Sequence, residues 1–378
     1  MTAPRVLFLI DEVEGLAAGG TERQLFQTIQ ALSGSEFQVE LAVLRGSFSS
    51  ESAGCPVHNL NFPRTLGSLS GIRSLLRLRS WIHLRRFDIV HTFFTDANLI
   101  GPIAARLAGV SVTIGSRRNL NHWMSPAFAR FQRISNMFVD VLLANSEMVK
   151  EAVCRTEGVR APKIEVIYNA IDTDRFQKNL QARAKFRKEF GFADNHVVIG
   201  NVANLRSIKG VPDFLEAAAI VMRTNPNCRF IQVGEGELRQ SIEARIDELG
   251  LQNTFHLLGR RDDVPDLLSA FDIGVLTSHA EGFSNSILEY MAAELPVVVT
   301  DVGGNREALG ETGIIVASRD VGAIASALQR LASDAELRQT MGTFVSQRVR
   351  ELFASDTIRE LWLCFYRSLL QSKFNWRQ

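Results

Sequence analysis

The chain has 378 residues, enough for two domains at roughly 150 residues per domain. Its 42 Lys and Arg against 41 Asp and Glu leave a net charge of +1, which excludes a bulk electrostatic attraction to nucleic acid. Hydrophobic residues at 46% and charged residues at 22% exclude a disordered chain and supply a large core.

Cys55, Cys154, Cys228 and Cys364 lie far apart, with no CxxC pair or metal-type spacing, and read as small apolar fillers in a reducing compartment. The first apolar run, residues 6–10, stops at Asp11 and Glu12, too short for a signal-peptide core. No later stretch reaches the ~20 apolar residues that span a bilayer. The expectation is a cytoplasmic protein with at most a peripheral contact at the inner face of a membrane.

Short apolar runs at 6–10, 39–44, 89–91, 112–114, 141–144 and 164–167 predict strands. Segments of helical period near 22–33, 72–86, 97–108, 125–137 and 146–156 lie between them. Strands apolar on both faces and separated by helices predict a parallel sheet covered on both sides. After a pause at 168–176 and a charged segment at 183–189, the pattern resumes near residue 195 with strands at 197–202, 230–233, 254–257, 273–276, 297–300 and 314–316. Helices are expected at about 210–224, 237–249, 264–270, 285–294 and 320–333. The stretch 334–373 reads as helix alone, and its apolar set Leu361, Trp362, Phe365, Tyr366, Leu369 and Leu370 must pack somewhere. Two doubly wound domains facing a central cleft are predicted, with ligands at the carboxyl ends of the strands. Charge divides unevenly: residues 1–168 carry 18 Lys and Arg against 14 Asp and Glu, the remainder 24 against 27.

The most informative stretch is HAEGFSNSILEYMAAELPVVVTDVGGNRE, residues 279–307. Gly282 allows a tight turn, and Ser284 is placed to cap a helix from Asn285, whose amide groups and dipole suit a phosphate. Glu289, one turn inside that helix and off its apolar stripe, is placed to reach a ribose diol beside the phosphate. A solvated surface carboxylate is the bland alternative.

Glu281 and Glu289 with seven residues between them, followed by the run 295–300 and Gly303–Gly304, resemble the signature of retaining GT-B glycosyltransferases of family 4, the glycosyl transferases group 1 superfamily. The similarity runs through GGTERQ at 19–24, DIVH at 88–91, ANSE at 144–147, VIYNAID at 166–172, NLRSIKG at 204–210, GEGE at 234–237 and LGRRDDVPDLLSAFDI at 258–273. It implies a GT-B fold of two Rossmann-like domains: 1–170 as the N-terminal acceptor-binding domain, 171–353 as the nucleotide-sugar domain, and 354–378 as a helix packing back on the first.

The resemblance implies that Arg206 and Lys209 meet the donor diphosphate, that Glu281 touches donor-sugar hydroxyls and that Glu289 binds the ribose. Backbone amides of Gly282, Phe283 and Ser284 would complete the cradle. Gly19, Gly20 and Thr21 would approach the donor from the front domain. Arg260 and Arg261 stand where the family frames the nucleobase, or are surface charges. His91 matches the DIVH histidine and is a catalytic candidate, or a core histidine with satisfied bonds. Many members carry a second His two residues later, where this chain has Phe93. Where members often have a sugar-facing His after the next strand, this chain reads VTIGSRRN, so Arg117 and Arg118 are acceptor-side candidates or plain charges.

Asp172-Thr-Asp174 spells a DxD metal motif but falls in the family's linker segment, so no metal and no other cofactor is expected. The implied reaction is retaining transfer from a nucleotide-diphosphate sugar, UDP ahead of GDP, to a glycan or lipid-linked hydroxyl, without a protein nucleophile. Rivals are an epimerase or hydrolase on the same architecture, and a non-catalytic sugar-nucleotide-binding subunit. A dinucleotide-dependent dehydrogenase is disfavoured, because no GxGxxG follows 6–10 or 197–202. The helical segment 72–87, rich in Arg with Trp81 and several aliphatics, reads as an ordinary packed helix or as a membrane-surface helix.

Overall fold

The computed structural model describes residues 3–13, 19–63, 69–120 and 125–374. The chain divides into two compact units, unit 1 being Met1–Ala170 with Asp356–Gln378 and unit 2 being Ile171–Ser355.

Unit 1 contains strands β1 (Arg5–Ile10), β2 (Gln38–Val43), β3 (Val57–Asn59), β4 (Ile89–Phe93), β5 (Val112–Arg117), β6 (Val141–Ala144) and β7 (Ile164–Val166). Its helices are α1 (Gly20–Leu32), α2 (Ser50–Ala53), α3 (Leu69–Arg85), α4 (Thr95–Ala108), α5 (Pro126–Asn136) and α6 (Glu147–Glu157). The strands form one parallel sheet in the order β3-β2-β1-β4-β5-β6-β7. Every β1 residue after Arg5 is buried, as a strand covered by helices on both faces requires. Ser125 and Ser146 cap α5 and α6 by accepting from the amides of Phe128 and Val149, while Gly109 and Gly158 end α4 and α6 in the left-handed region.

Unit 2 contains β8 (Val197–Val202), β9 (Cys228–Val233), β10 (Phe255–Leu257), β11 (Ile273–Leu276), β12 (Val297–Thr300) and β13 (Ile314–Val316). Their order is β10-β9-β8-β11-β12-β13, again parallel. Around them lie α7 (Leu180–Glu189), α8 (Val211–Thr224), α9 (Arg239–Glu248), α10 (Val264–Leu267), α11 (Asn285–Ala292), α12 (Asn305–Leu309), α13 (Val321–Ser333) and α14 (Ala335–Leu352). Two glycines make room for aromatic rings against this sheet: a Cβ at Gly200 would meet the Phe271 ring at 1.9 Å, and one at Gly274 the Tyr290 ring at 2.6 Å.

The last helix, α15 (Ser355–Phe374), supplies Ile358, Trp362, Leu363, Tyr366 and Leu370 to a unit 1 core that also holds Phe8, Ile10, Leu25, Ile29 and Phe93. Phe365 and Leu369 pack at its edge, whereas Leu361, expected inside, is 48% exposed.

The doubly wound parallel reading is borne out in both sheets. Four elements escaped it: α2, β3, α12, and α7, which had read only as a charged segment. The helix expected over 285–294 stops at Ala292, and Ser284, although in the N-cap position, makes no side-chain capping bond.

Candidate active site

In a doubly wound sheet the loops after the two strands flanking the reversal of strand order diverge to opposite faces and leave a crevice at the carboxyl edge. In unit 2 that reversal lies between β8 and β11. The loop after β8 carries Arg206 and Lys209, and the loop after β11 carries Glu281. Lys209 Nζ lies 2.6 Å from Glu281 Oε1, and Ser278 Oγ donates to the same oxygen at 2.6 Å. The Glu281 side chain is 9% exposed and that of Lys209 25%. Arg206, three residues before Lys209 in the same loop, is exposed, and its guanidinium has no ion pair among the described residues. A cation held by a carboxylate and a second cation open to solvent form a natural landing place for an anion.

The neighbouring backbone holds these loops in place. Gly210, at φ +59, follows Lys209, and a Cβ there would come within 2.0 Å of the Thr277 carbonyl oxygen. Thr277 Oγ1 donates to the Gly210 carbonyl at 2.8 Å, and the His279 amide donates to the Ile208 carbonyl at 2.8 Å. His279 Nε2 then lies 2.8 Å from Asp213 Oδ2, in the first turn of α8. On the other side, the GEGE segment braces the loop: the Leu205 amide donates to the Glu235 carbonyl, and the Leu238 amide to the Leu205 carbonyl, both at 3.0 Å. Gly234 and Gly236 allow this approach, since a Cβ would stand 2.2 Å from the Ala203 oxygen or 2.5 Å from the Leu205 oxygen.

Gly282, Phe283 and Ser284 lead into α11, and Phe283 is buried with its ring 5.4 Å from that of Phe353. The Gly303–Gly304 pair packs beneath this turn, the Gly304 amide donating to the Gly282 carbonyl at 2.8 Å and Gly303 leaving no room for a Cβ beside the Glu281 carbonyl. Glu289 on α11 is 4% exposed, so it is not a solvated surface carboxylate. The helix is anchored to β8 through Tyr290, whose hydroxyl accepts from the Val202 amide at 2.6 Å, and through Ser286, which donates to the Val202 carbonyl at 2.7 Å.

Arg260 is exposed in the loop after β10, and its guanidinium has no ion pair among the described residues. Arg261 is tied down by Asp263 at 2.6 Å and lies 5.6 Å over the Phe186 ring, which makes it a local structural cation. The Asp172-Thr-Asp174 segment forms a turn in which Asp172 Oδ1 accepts from the amides of Asp174 and Arg175. Among the described residues no group of three or more His, Cys, Asp or Glu side chains is placed to hold a metal ion.

In unit 1, Gly19 is the N-cap position of α1, and Gly20 and Thr21 open the helix; the Glu22 carboxylate folds back over Gly19, where a Cβ would meet it at 2.4 Å. His91 is fully buried. Its Nδ1 lies 2.7 Å from Tyr366 Oη and its Nε2 2.8 Å from Ser116 Oγ. Both nitrogens are engaged inside the core, the arrangement expected of a core histidine with satisfied bonds. Desolvation, with the Arg118 charge adding to it, holds its pKa well below the usual imidazole range.

Arg117 is not a surface charge. It is buried in a two-pronged ion pair with Glu157, at 2.8 and 2.9 Å, and donates to Asn136 at 2.9 Å. Arg118 exposes part of its surface, but its guanidinium is enclosed and bonded to Asn169, and burial pushes its pKa down to about 10.

Sequence reasoning missed Ser278, His279 and Asp213. His279 and Asp213 lie 66 positions apart, so no local pattern pairs them; Ser278 carried a weak signal through its position three residues before Glu281.

The profile of the glycosyl transferases group 1 family matches residues 196–334, and that of glycosyltransferase family 4 matches residues 18–175. The chain belongs to the group 1/family 4 glycosyltransferase superfamily. It is 28% identical to the capsular polysaccharide biosynthesis glycosyltransferase CapM of Staphylococcus aureus, over 83% of this chain and 85% of that one. It is 27% identical to the Escherichia coli UDP-Gal:alpha-D-GlcNAc-diphosphoundecaprenol alpha-1,3-galactosyltransferase, over 83% and 85%. Among solved structures, Anabaena HepE in complex with UDP superposes with a TM-score of 0.85 at 23% identity, covering 96% of this chain and all of that one. The fold is that of the GT-B glycosyltransferases, and the Lys209–Glu281 group lies within the segment matched by the group 1 profile.

Proposed function

We propose that this glycosyltransferase moves a sugar from a UDP-sugar to a hydroxyl of a glycan or lipid-linked acceptor during polysaccharide or glycolipid synthesis, with retention of anomeric configuration. The observation that carries the reading is the Lys209–Glu281 contact of 2.6 Å, with the exposed Arg206 in the same loop, at the switch point of unit 2. Likeness to CapM and to the E. coli galactosyltransferase supports the reaction class and the acceptor class, and the UDP and UDP-glucose complexes of HepE support the donor.

On this reading Arg206 and Lys209 neutralise the diphosphate as it departs, and Glu281 receives hydroxyls of the donor sugar. Glu289 binds the ribose, the turn at Gly282, Phe283 and Ser284 offers amides to the phosphates, and Arg260 borders the base. The bond between C1 and the diphosphate oxygen breaks on the face where the acceptor oxygen bonds to C1, and the acceptor proton passes to the leaving phosphate. Two cations and a helix N-terminus are enough to absorb the charge that develops, so no metal is required. A lipid-linked acceptor would keep the enzyme in the cytoplasm as a peripheral protein at the inner face of the membrane.

The test is incubation of the full chain with radiolabelled UDP-sugars and a panel of glycan and lipid-linked acceptors in EDTA, with the anomer of the product read by NMR. Retained transfer is the expected result. Donor hydrolysis that is indifferent to every acceptor would replace the reading with that of a hydrolase, and an inverted product would remove the front-face mechanism.

A further inference from the structure

We propose that the solvent face of α3 docks on an anionic lipid bilayer and holds unit 1 against its surface. The inner side of α3 is conventional: Leu78 and Ile82 are buried in a core with Leu7, Leu9 and Val90, and Leu75 and Trp81 pack at its edge. The outer side is not. Ile72, Leu76 and Leu84 are 55%, 54% and 80% exposed. At about 100° per residue these three fall within an arc of roughly 120°, interleaved with Arg73, Arg77 and Arg79.

The charge on this face has one sign. Residues 69–87 contain no Asp or Glu. Arg85 turns inward, 3.0 Å from Glu40 and 5.0 Å over the Trp81 ring. Arg73, Arg77 and Arg86 have no carboxylate partner among the described residues, and Arg79 uses only its Nε, which donates to the Leu107 carbonyl at 3.2 Å. Leu107 is itself 52% exposed, so apolar surface continues onto the end of α4.

A bilayer rich in acidic lipid matches both halves of this face, because it presents anionic oxygens directly above hydrocarbon. Leucine and isoleucine enter the boundary between headgroup and acyl chain while the arginines meet phosphate oxygens. A soluble polyanion would leave the aliphatic side chains wet, and an apolar protein surface would leave the arginines unpaired. The proposal draws its purpose from a lipid-linked acceptor, but binding is measured without donor or acceptor, so it fails or stands apart from the transfer reaction.

The test is co-sedimentation of the full chain with phosphatidylcholine vesicles and with vesicles that also contain phosphatidylglycerol. Two variants are compared, Arg73→Gln/Arg77→Gln/Arg79→Gln and Ile72→Ser/Leu76→Ser/Leu84→Ser, each first shown to melt like the unmodified chain. Binding is expected to need phosphatidylglycerol and to weaken with salt. It should fall roughly fivefold per arginine removed, hence about a hundredfold in the first variant, and at least tenfold in the second. Absence of binding to acidic vesicles, equal binding to neutral ones, or unchanged binding of both variants overturns the proposal. A concentration-dependent dimer that the serine variant dissolves would also overturn it, assigning the face to contact between copies. Salt dependence is read on the unmodified chain, so the test does not hang on the variants alone.

Discussion

Lys209 Nζ and Glu281 Oε1 stand 2.6 Å apart and join the loops after two adjacent strands of unit 2, β8 and β11. The contact pairs a mostly buried carboxylate, which also accepts from Ser278 Oγ, with a partly exposed cation. Lys209→Ala, Glu281→Gln and Glu289→Ala are each expected to lower turnover by about 100-fold or more, the usual effect of removing one charge-stabilising group. Lys209→Ala should also lower the melting temperature, because it leaves the mostly buried Glu281 carboxylate without its cation. Radiolabelled-donor turnover and thermal melting check this, and wild-type turnover in all three variants would sink the site assignment.

His279 and Asp213 fasten the same two loops from behind. His279→Ala or Asp213→Ala is expected to reduce turnover about tenfold by letting Lys209 drift, since sub-ångström misplacement is already costly in a charge-stabilised step. The double variant should be no worse than either single one, because both remove one shared link. Additive losses in steady-state kinetics would show that the two residues act separately.

His91 makes stability depend on pH. The unfolded imidazole takes up a proton near pH 6.5, whereas the buried ring resists it to a much lower pH. The unfolded chain therefore binds more protons below about pH 6.5; this contribution to stability is full above that value and is lost as the pH falls. Asp11 works in the opposite sense: burial outweighs the amide bonds from Asp96 and Ala97 and raises its pKa to about 6, so its contribution is largest in acid and is lost as the pH rises through that value. Melting curves from about pH 4 to 7 on the unmodified chain and on His91→Gln separate the two. The variant should melt lower at neutral pH but lose less on acidification, and parallel curves would refute this account.

Arg117→Ala and Glu157→Ala each leave an uncompensated charge inside unit 1, at a cost of about 3–5 kcal/mol. Denaturant unfolding should show that loss in both. Acceptor KM, measured on the folded fraction, should stay within about twofold, since the pair faces inward. A large rise in acceptor KM with stability intact would return Arg117 to the acceptor side.

Most strands were legible because they are sealed by neighbours and so written as largely apolar runs; 141–144, 197–202, 273–276 and 297–300 coincide with β6, β8, β11 and β12, and the edge strand β13 matches 314–316 because all three of its residues are aliphatic although none is fully buried. β3 was not, because its three residues include His58 and Asn59 at a sheet edge and none is fully buried. The motif around Glu281 pointed to the loops that meet at the switch point, but pairings across long sequence separation carry no local signature. That is why Arg117 could not be told from a surface cation while its partner Glu157 stood 40 positions away, and why His91 could not be told from a reactive histidine until Tyr366 closed over it.

The placement of Trp362 and Tyr366 against Phe8, Ile10 and His91 has a cost in time. During synthesis the opening 170 residues emerge from the ribosome about 185 residues before the helix that seals their interior has been made. Until then the nascent lobe exposes the apolar surface that α15 later covers, while the second lobe, uninterrupted in the chain, is free to mature first.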